Sequence, residues 1–231
     1  MTKLSIIIPC YNEKRTINLI LDKINELKLK KQTILVDDCS NDGTKDIIQN
    51  NSNKVDKVIF HEKNLGKGGA IISAKKFVDG DYVVIQDADL EYNPNDLEVM
   101  FSMMIERNYE VLYGSRVLNK QRYKNDNFTS VFRIFANHLL TIFSNLFNNQ
   151  NLTDSHTCYK MFKKNVFDKI ELKEYDFAFC PEITTKISNL KIKIHETSIS
   201  YQGRSYLEGK KISFKDGFKA LYTVIKYSIF K

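Results

Sequence analysis

No run in this 231-residue chain approaches the roughly 18 uninterrupted apolar residues that a membrane-spanning helix needs. The N-terminal residues do not read as a secretory leader either, because the apolar run from Leu4 to Ile8 stops at Pro9 and gives way to Asn12-Glu13-Lys14-Arg15. Cysteine is scarce and dispersed. Cys10, Cys39, Cys158 and Cys180 fit neither a zinc spacing nor a disulfide framework, so they read as free thiols in a reducing cytoplasm. No helix-turn-helix, zinc or RNP-type pattern accompanies the basic charge, and nucleic acid is therefore not an expected partner. Internal repeats and low-complexity tracts are also missing.

What remains is ordinary for a globular protein, with 42% hydrophobic and 27% charged residues. The length suits one large α/β domain or two small ones. The formal charge of +7 is concentrated late in the chain, where residues 203–231 hold seven Lys/Arg against two acids, a surplus of +5. A solvated basic surface, an anionic membrane or a phosphorylated substrate each account for such a surplus.

The most informative stretch is Tyr82-Val83-Val84-Ile85-Gln86-Asp87-Ala88-Asp89. It reads as a strand buried on both faces that ends in two aspartates one residue apart. Ligands of open α/β sheets bind beyond the carboxyl ends of such strands, and two adjacent carboxylates there call for a cation. Around it, strands at 4–8, 33–36, 58–60 and 111–113 alternate with helices at 16–29, from about 44, around 70–77, and at 95–107. Alternation of this kind predicts a doubly wound, mostly parallel, Rossmann-like sheet.

The second half is less regular. Residues 118–127 are polar without core periodicity and read as a mobile loop. Across 127–152 the sole formal charge is Arg133, and Ser130, Arg133, Asn137, Thr141, Ser144 and Asn148 form a polar stripe on a helix of about 128–149. A second amphipathic helix, about 213–230, carries Phe214, Phe218, Leu221, Tyr222, Ile225 and Ile229, with Lys215, Lys219 and Lys226 nearby. Either apolar face suits core packing or an anionic membrane surface.

Ser5-Ile6-Ile7-Ile8-Pro9-Cys10-Tyr11-Asn12-Glu13, Val36-Asp37-Asp38-Cys39-Ser40-Asn41-Asp42-Gly43-Thr44, Asn64-Leu65-Gly66-Lys67-Gly68 and Asp87-Ala88-Asp89 together resemble family 2 glycosyltransferases. These are inverting enzymes of the GT-A fold. Gly114-Ser115-Arg116, Arg133 with Asn137, Leu152-Thr153-Asp154 and the run from Ile199 to Tyr206 resemble the dolichyl-phosphate mannose synthase branch, whose acceptor is a polyprenyl phosphate. The resemblance implies one GT-A domain over 1–231, with a nucleotide-sugar-binding half at 1–116 and an acceptor half at 117–231.

The resemblance also implies roles. Pro9, Tyr11, Glu13, Asp38, Lys67, Asp87 and Ala88 would line the nucleotide-sugar pocket. Asp38 would accept hydrogen bonds from ribose or base, and the glycines beside Lys67 would permit close backbone approach. Asp87 and Asp89, with Glu91 as a third candidate, would hold Mg²⁺ or Mn²⁺. Arg116, Arg133, Asn137 and Arg204 would bind the acceptor phosphate, which is already anionic and needs no base. The protein is expected to be peripheral at the cytoplasmic face of a membrane, on its own or through a membrane partner protein.

Three other functions stay open on the residues. A saccharide hydroxyl acceptor would need a base, for which Asp154 is the candidate. An inert nucleotide-sugar or membrane-binding module would need none of the acids and arginines. A sugar-1-phosphate nucleotidyltransferase would want a Gly-rich, Arg- and Lys-containing signature after the first strand, and Pro9-Cys10-Tyr11-Asn12-Glu13 is not one.

Overall fold

The computed structural model describes residues 2–119, 128–204 and 214–229, with side chains at 128–133 and 214–215 outside that description. Of the polar segment 118–127, only Leu118 and Asn119 are among the described residues. Seven strands form one sheet: β1 (Leu4–Cys10), β2 (Lys31–Asp37), β3 (Lys57–Phe60), β4 (Tyr82–Ile85), β5 (Val111–Ser115), β6 (Lys160–Lys163) and β7 (His195–Ser198). The helices are α1 (Ile17–Glu26), α2 (Thr44–Asn50), α3 (Gly66–Lys75), α4 (Asp96–Glu106), α5 (Phe128–Asn148), α6 (Lys164–Lys169), α7 (Phe179–Asn189) and α8 (Phe214–Ile229).

The strand order is β3-β2-β1-β4-β6-β5-β7. Strands β1 to β4 are parallel, β6 runs antiparallel between β4 and β5, and β7 is parallel to β5. The five expected strands are present. The antiparallel β6 and the edge strand β7 are additions that the chain's periodicity did not announce, β6 because it is short with a lysine at each end, β7 because it reads His195-Glu196-Thr197-Ser198. With this order the carboxyl ends of β1, β2, β4, β5 and β7 and the start of β6 open on one edge of the sheet.

Alternate residues of β1 feed two cores. Leu4, Ile6 and Ile8 pack with α1 and α4 on one face, and Ile7 packs with α3 and α7 on the other. Pro9 does not end β1 as expected; the strand continues to Cys10, paired along β2. The reason is which way the missing N–H points. Ile7 accepts from the Gln86 N–H on the β4 side, so Pro9, two residues on, faces that side too, and the paired run with β4 has stopped at Ile7 and Ile85.

Helices α5, α7 and α8 pack on one another. In α5 the later part of the polar stripe faces inward: Thr141, Ser144 and Asn148 are buried and Asn137 is exposed, while Phe135, Leu139, Ile142 and Leu146 lie outward, Leu146 to 77%. The stripe meets backbone that needs partners. The Asn145 amide donates to Leu152 O (2.8 Å) and its Oδ1 accepts from Leu152 N–H (2.9 Å), while Thr141 Oγ1 accepts from Ser155 N–H (3.3 Å). In α8, Ala220, Val224 and Tyr227 pack inward and Phe218, Tyr222, Ile225 and Ile229 lie outward, Phe218 to 77%. Lys219 and Lys226 turn to Asp176 and Glu174. Among the described residues, no helix is long and apolar enough to cross a membrane.

Candidate active site

The turn after β4 carries the acids. Leu90 adopts a left-handed backbone (φ 62°), which brings the Glu91 N–H back to Asp89 Oδ1 at 3.1 Å. Asp87 pairs with Lys67, whose ammonium also lies 3.0 Å from Cys158 Sγ. Burial, with Asp87 and Glu91 alongside, pushes the Asp89 carboxyl up to about 7. Ala88 is buried between the two aspartates.

Arg204, from the segment after β7, reaches across to these acids. Its guanidinium forks onto Glu13 (Nη1 to Oε2 2.9 Å, Nη2 to Oε1 3.0 Å) and touches Asp89 Oδ2 at 3.2 Å. Glu91 is not an exposed turn acid. It accepts from the Tyr201 hydroxyl (2.8 Å) and from the Arg204 N–H (2.7 Å), fixing that segment to the Asp89 turn.

At the end of β2 the two aspartates divide differently from expectation. Asp38 is buried and saturated: it accepts from Leu65 N–H (2.8 Å), Gly66 N–H (2.7 Å) and the His61 ring (Nδ1, 2.7 Å). It caps the start of α3 and is not a free acceptor for ribose or base. Asp37 is the one with capacity to spare. Ser40 N–H donates to its Oδ2 at 3.2 Å, while its buried Oδ1 has no partner among the described residues. The Asp-Asp pair signalled this site, but nothing in the sequence said which member would be consumed by the fold. Pro9 and Tyr11 lie beside it at the end of β1, and Asn12 ties the two loops through Ser40 Oγ (2.9 Å) and Asn41 N–H (2.9 Å).

The glycines around Lys67 approach protein, not an open cradle. A Cβ on Gly68 would lie 2.1 Å from Glu174 O, and Gly69 N–H donates to Tyr175 O at 2.8 Å. They dock α3 on the 174–175 backbone and aim Lys67 at Asp87.

On the other side of the opening, Arg116 and Asp154 form a fork (Nε to Oδ2 2.7 Å, Nη2 to Oδ1 2.8 Å), and the Arg116 N–H adds a third bond. Although burial opposes it, the Arg116 guanidinium holds the Asp154 carboxyl below its usual range. Tyr201 joins the two clusters, its hydroxyl on Glu91 and its ring 5.1 Å from the Arg116 guanidinium carbon. Glu196 accepts from Thr153 N–H (2.7 Å) and Asp154 N–H (3.0 Å), and the buried Lys160 donates to Ser155 O (2.8 Å). The sequence does not mark these two; each is a charge in a four-residue strand, Lys160 opening the buried β6 and Glu196 within the polar β7, a pattern without a functional signature. Arg133 lies on α5 with its side chain outside the described residues, and Asn137 on the same helix is exposed.

Among the described residues, no group of three or more His, Cys, Asp or Glu is arranged to hold a metal ion. Asp87, Asp89 and Glu91 are instead each turned to a cation or donor of the chain. Their chemistry nevertheless suits a hard divalent ion, since every side-chain donor atom they offer is a carboxylate oxygen.

Comparison with known proteins agrees with this architecture. The family described as "Glycosyl transferase family 2" matches residues 5–171. The dolichyl-phosphate beta-glucosyltransferase ALG5A of Trichomonas vaginalis is 26% identical over 98% of this chain and 73% of its own length. The UDP-N-acetylglucosamine–dolichyl-phosphate N-acetylglucosaminyltransferase of Methanococcus voltae is 27% identical over 95% of this chain and 94% of its own. Among solved structures, glucosyl-3-phosphoglycerate synthase from Mycobacterium tuberculosis, in complex with Mn²⁺, UDP and glucosyl-3-phosphoglycerate, superposes with a TM-score of 0.74 at 14% identity, covering 100% of this chain and 81% of that one. At that identity the likeness speaks for the GT-A fold alone.

Proposed function

The chain belongs to glycosyltransferase family 2, and on that premise we propose that it transfers a hexose, with inversion, from a nucleotide diphosphate sugar to a polyprenyl phosphate. The chain serves as one catalytic unit, residues 1–116 supplying most of the donor site and 117–231 most of the acceptor site, with Arg204 crossing to the donor and Arg116 to the acceptor. The relatives with dolichyl phosphate in their names support the acceptor class. The observation that carries it is the outward apolar face of α5 and α8, on the helix that also bears Arg133 and Asn137. A lipid-borne phosphate is met at a bilayer surface, and such faces suit peripheral attachment there.

An acceptor phosphate oxygen attacks the anomeric carbon. The new carbon–oxygen bond forms as the bond to the donor diphosphate breaks, and its electron pair leaves with the nucleoside diphosphate. No base is required, because a phosphate monoester with a second pKa of about 6 is already anionic. Asp37 and Tyr11 face the nucleoside, Lys67 and Arg204 neutralise donor phosphate, and Arg116, Arg133 and Asn137 hold the acceptor phosphate. Asp87 and Asp89 would hold Mg²⁺ or Mn²⁺, with Glu91 as a third oxygen; bound there, the ion stabilises charge on the leaving diphosphate.

A saccharide hydroxyl acceptor is disfavoured by one feature: Asp154, its base, is forked by Arg116 and held at low pKa, which makes it a poor proton acceptor. The test is a screen of radiolabelled nucleotide sugars with a short-chain prenyl phosphate, with Mn²⁺ or with chelator. Label is expected in the lipid fraction, at least about 100-fold less with Asp89→Ala. Label moved to free saccharides and never to prenyl phosphate would overturn the acceptor class.

A further inference from the structure

We infer that Arg204 is a resident counter-cation of the donor site, one that a divalent ion must displace, and that Glu13 is the positioning residue that keeps it there. This deepens the proposed function and rests on its placing of the donor site. Three carboxylates from two separate loops converge on one guanidinium: Glu13 from the β1–α1 loop, Asp89 and Glu91 from the turn after β4. Such acids repel one another unless a cation lies among them, and Arg204 supplies it in the protein alone.

The way Arg204 is held favours exchange over permanent residence. Its fork is spent on Glu13, while its contact with Asp89 is a longer single bond of 3.2 Å. Its Nε is buried without a hydrogen-bond partner among the described residues, 3.9 Å from Glu91 Oε1. A guanidinium leaving such a place gives up the two-bond fork on Glu13 and one longer bond to Asp89, and releases a donor that had no partner among the described residues. On a diphosphate it finds oxygens of the same fork geometry. Glu91 grips the Arg204 backbone N–H, not its head, so the side chain can turn while the segment stays anchored. Metal and donor therefore enter together most readily, since the diphosphate takes up the arginine that the ion expels.

The test is Mn²⁺ titration of nucleotide-free protein, followed by the paramagnetic resonance signal of unbound Mn²⁺. Wild type is expected to bind weakly and Arg204→Gln about tenfold more tightly or better, since a unit positive charge has left the carboxylates. Glu13→Gln, which removes the fork and leaves the arginine, is expected between the two. Asp89→Asn should abolish binding in every background. Arg204→Gln binding no better than wild type would overturn the displacement, and Glu13→Gln matching wild type would overturn the positioning role. Should Arg204→Gln fail to fold by its thermal melt, Arg204→Met is measured in its place: it keeps an unbranched stem without the charge, and tighter Mn²⁺ binding is again expected, while unchanged binding overturns displacement. No nucleotide or prenyl phosphate is present, so a failed transfer screen and a failed titration are separate results.

Discussion

Helix α1 turns Ile17, Ile20, Leu21 and Ile24 into the core, whereas α5 turns Thr141, Ser144 and Asn148 inward and leaves Phe135, Leu139, Ile142 and Leu146 outside. Both have amphipathic sequences. They differ in what lies beneath them. Under α1 is the apolar face of β1, which offers no hydrogen bonds, so apolar side chains exclude water from it. Under α5 is the 152–155 backbone leading to Asp154, whose N–H and C=O groups need partners that only a polar face can give. Helix α1 is thus held by apolar packing, and α5 meets the 152–155 backbone through buried polar contacts that leave its apolar face outside.

The largest effect expected from this contrast is at the Arg116–Asp154 fork. Asp154→Ala leaves a buried guanidinium unpaired and should cost about 3–5 kcal/mol in denaturant unfolding; a loss under about 1 kcal/mol would mean that the fold around α5 does not depend on its polar interior. Next comes a matched pair of truncations. Ile20→Ala should cost about 2–5 kcal/mol, and Leu139→Ala no more than about 0.5 kcal/mol. Equal losses would place the apolar face of α5 in a core after all. Thr141→Val, nearly isosteric, strips a partner from Ser155 N–H and should cost about 1–3 kcal/mol.

The smallest effect is a pH slope. Burial, with Lys160 beside it, holds the His156 imidazole down at about 4 from 6.5. An unfolded chain therefore binds a proton over that window that the folded one refuses, so stability is full above pH 6.5 and declines as pH falls towards 4. Melting temperatures of wild type and His156→Asn should separate by this slope between pH 6.5 and 4; parallel curves would mean that the fold does not hold the His156 imidazole neutral.

Much of the site is legible in the sequence. The motifs mark Asp87, Asp89, Glu13 and Arg204, which the fold brings to one edge of the sheet, but Arg204, expected on the acceptor phosphate with Arg116, lies instead on Glu13 and Asp89. Asp38 was misplaced because a carboxylate that caps α3 and one that faces a ligand are the same two letters in a row. Glu91 reads in the sequence only as a third candidate ligand, and its bonds to Tyr201 and Arg204 depend on residues more than 100 positions away. The glycines at 66–69 signalled a close approach correctly, but what approaches is the 174–175 backbone.

By itself the sequence determined the alternation of strands and helices, the acids at the end of β4, and the two amphipathic helices, because these are local periodicities and adjacent residues. Only the tertiary structure decided the antiparallel β6, the side of α5 that meets solvent, and the partner of each charge. Those outcomes depend on which distant backbone groups and carboxylates are brought within a few ångströms. A hydrogen bond of 3 Å between residues far apart in the chain leaves no local pattern from which it could be read.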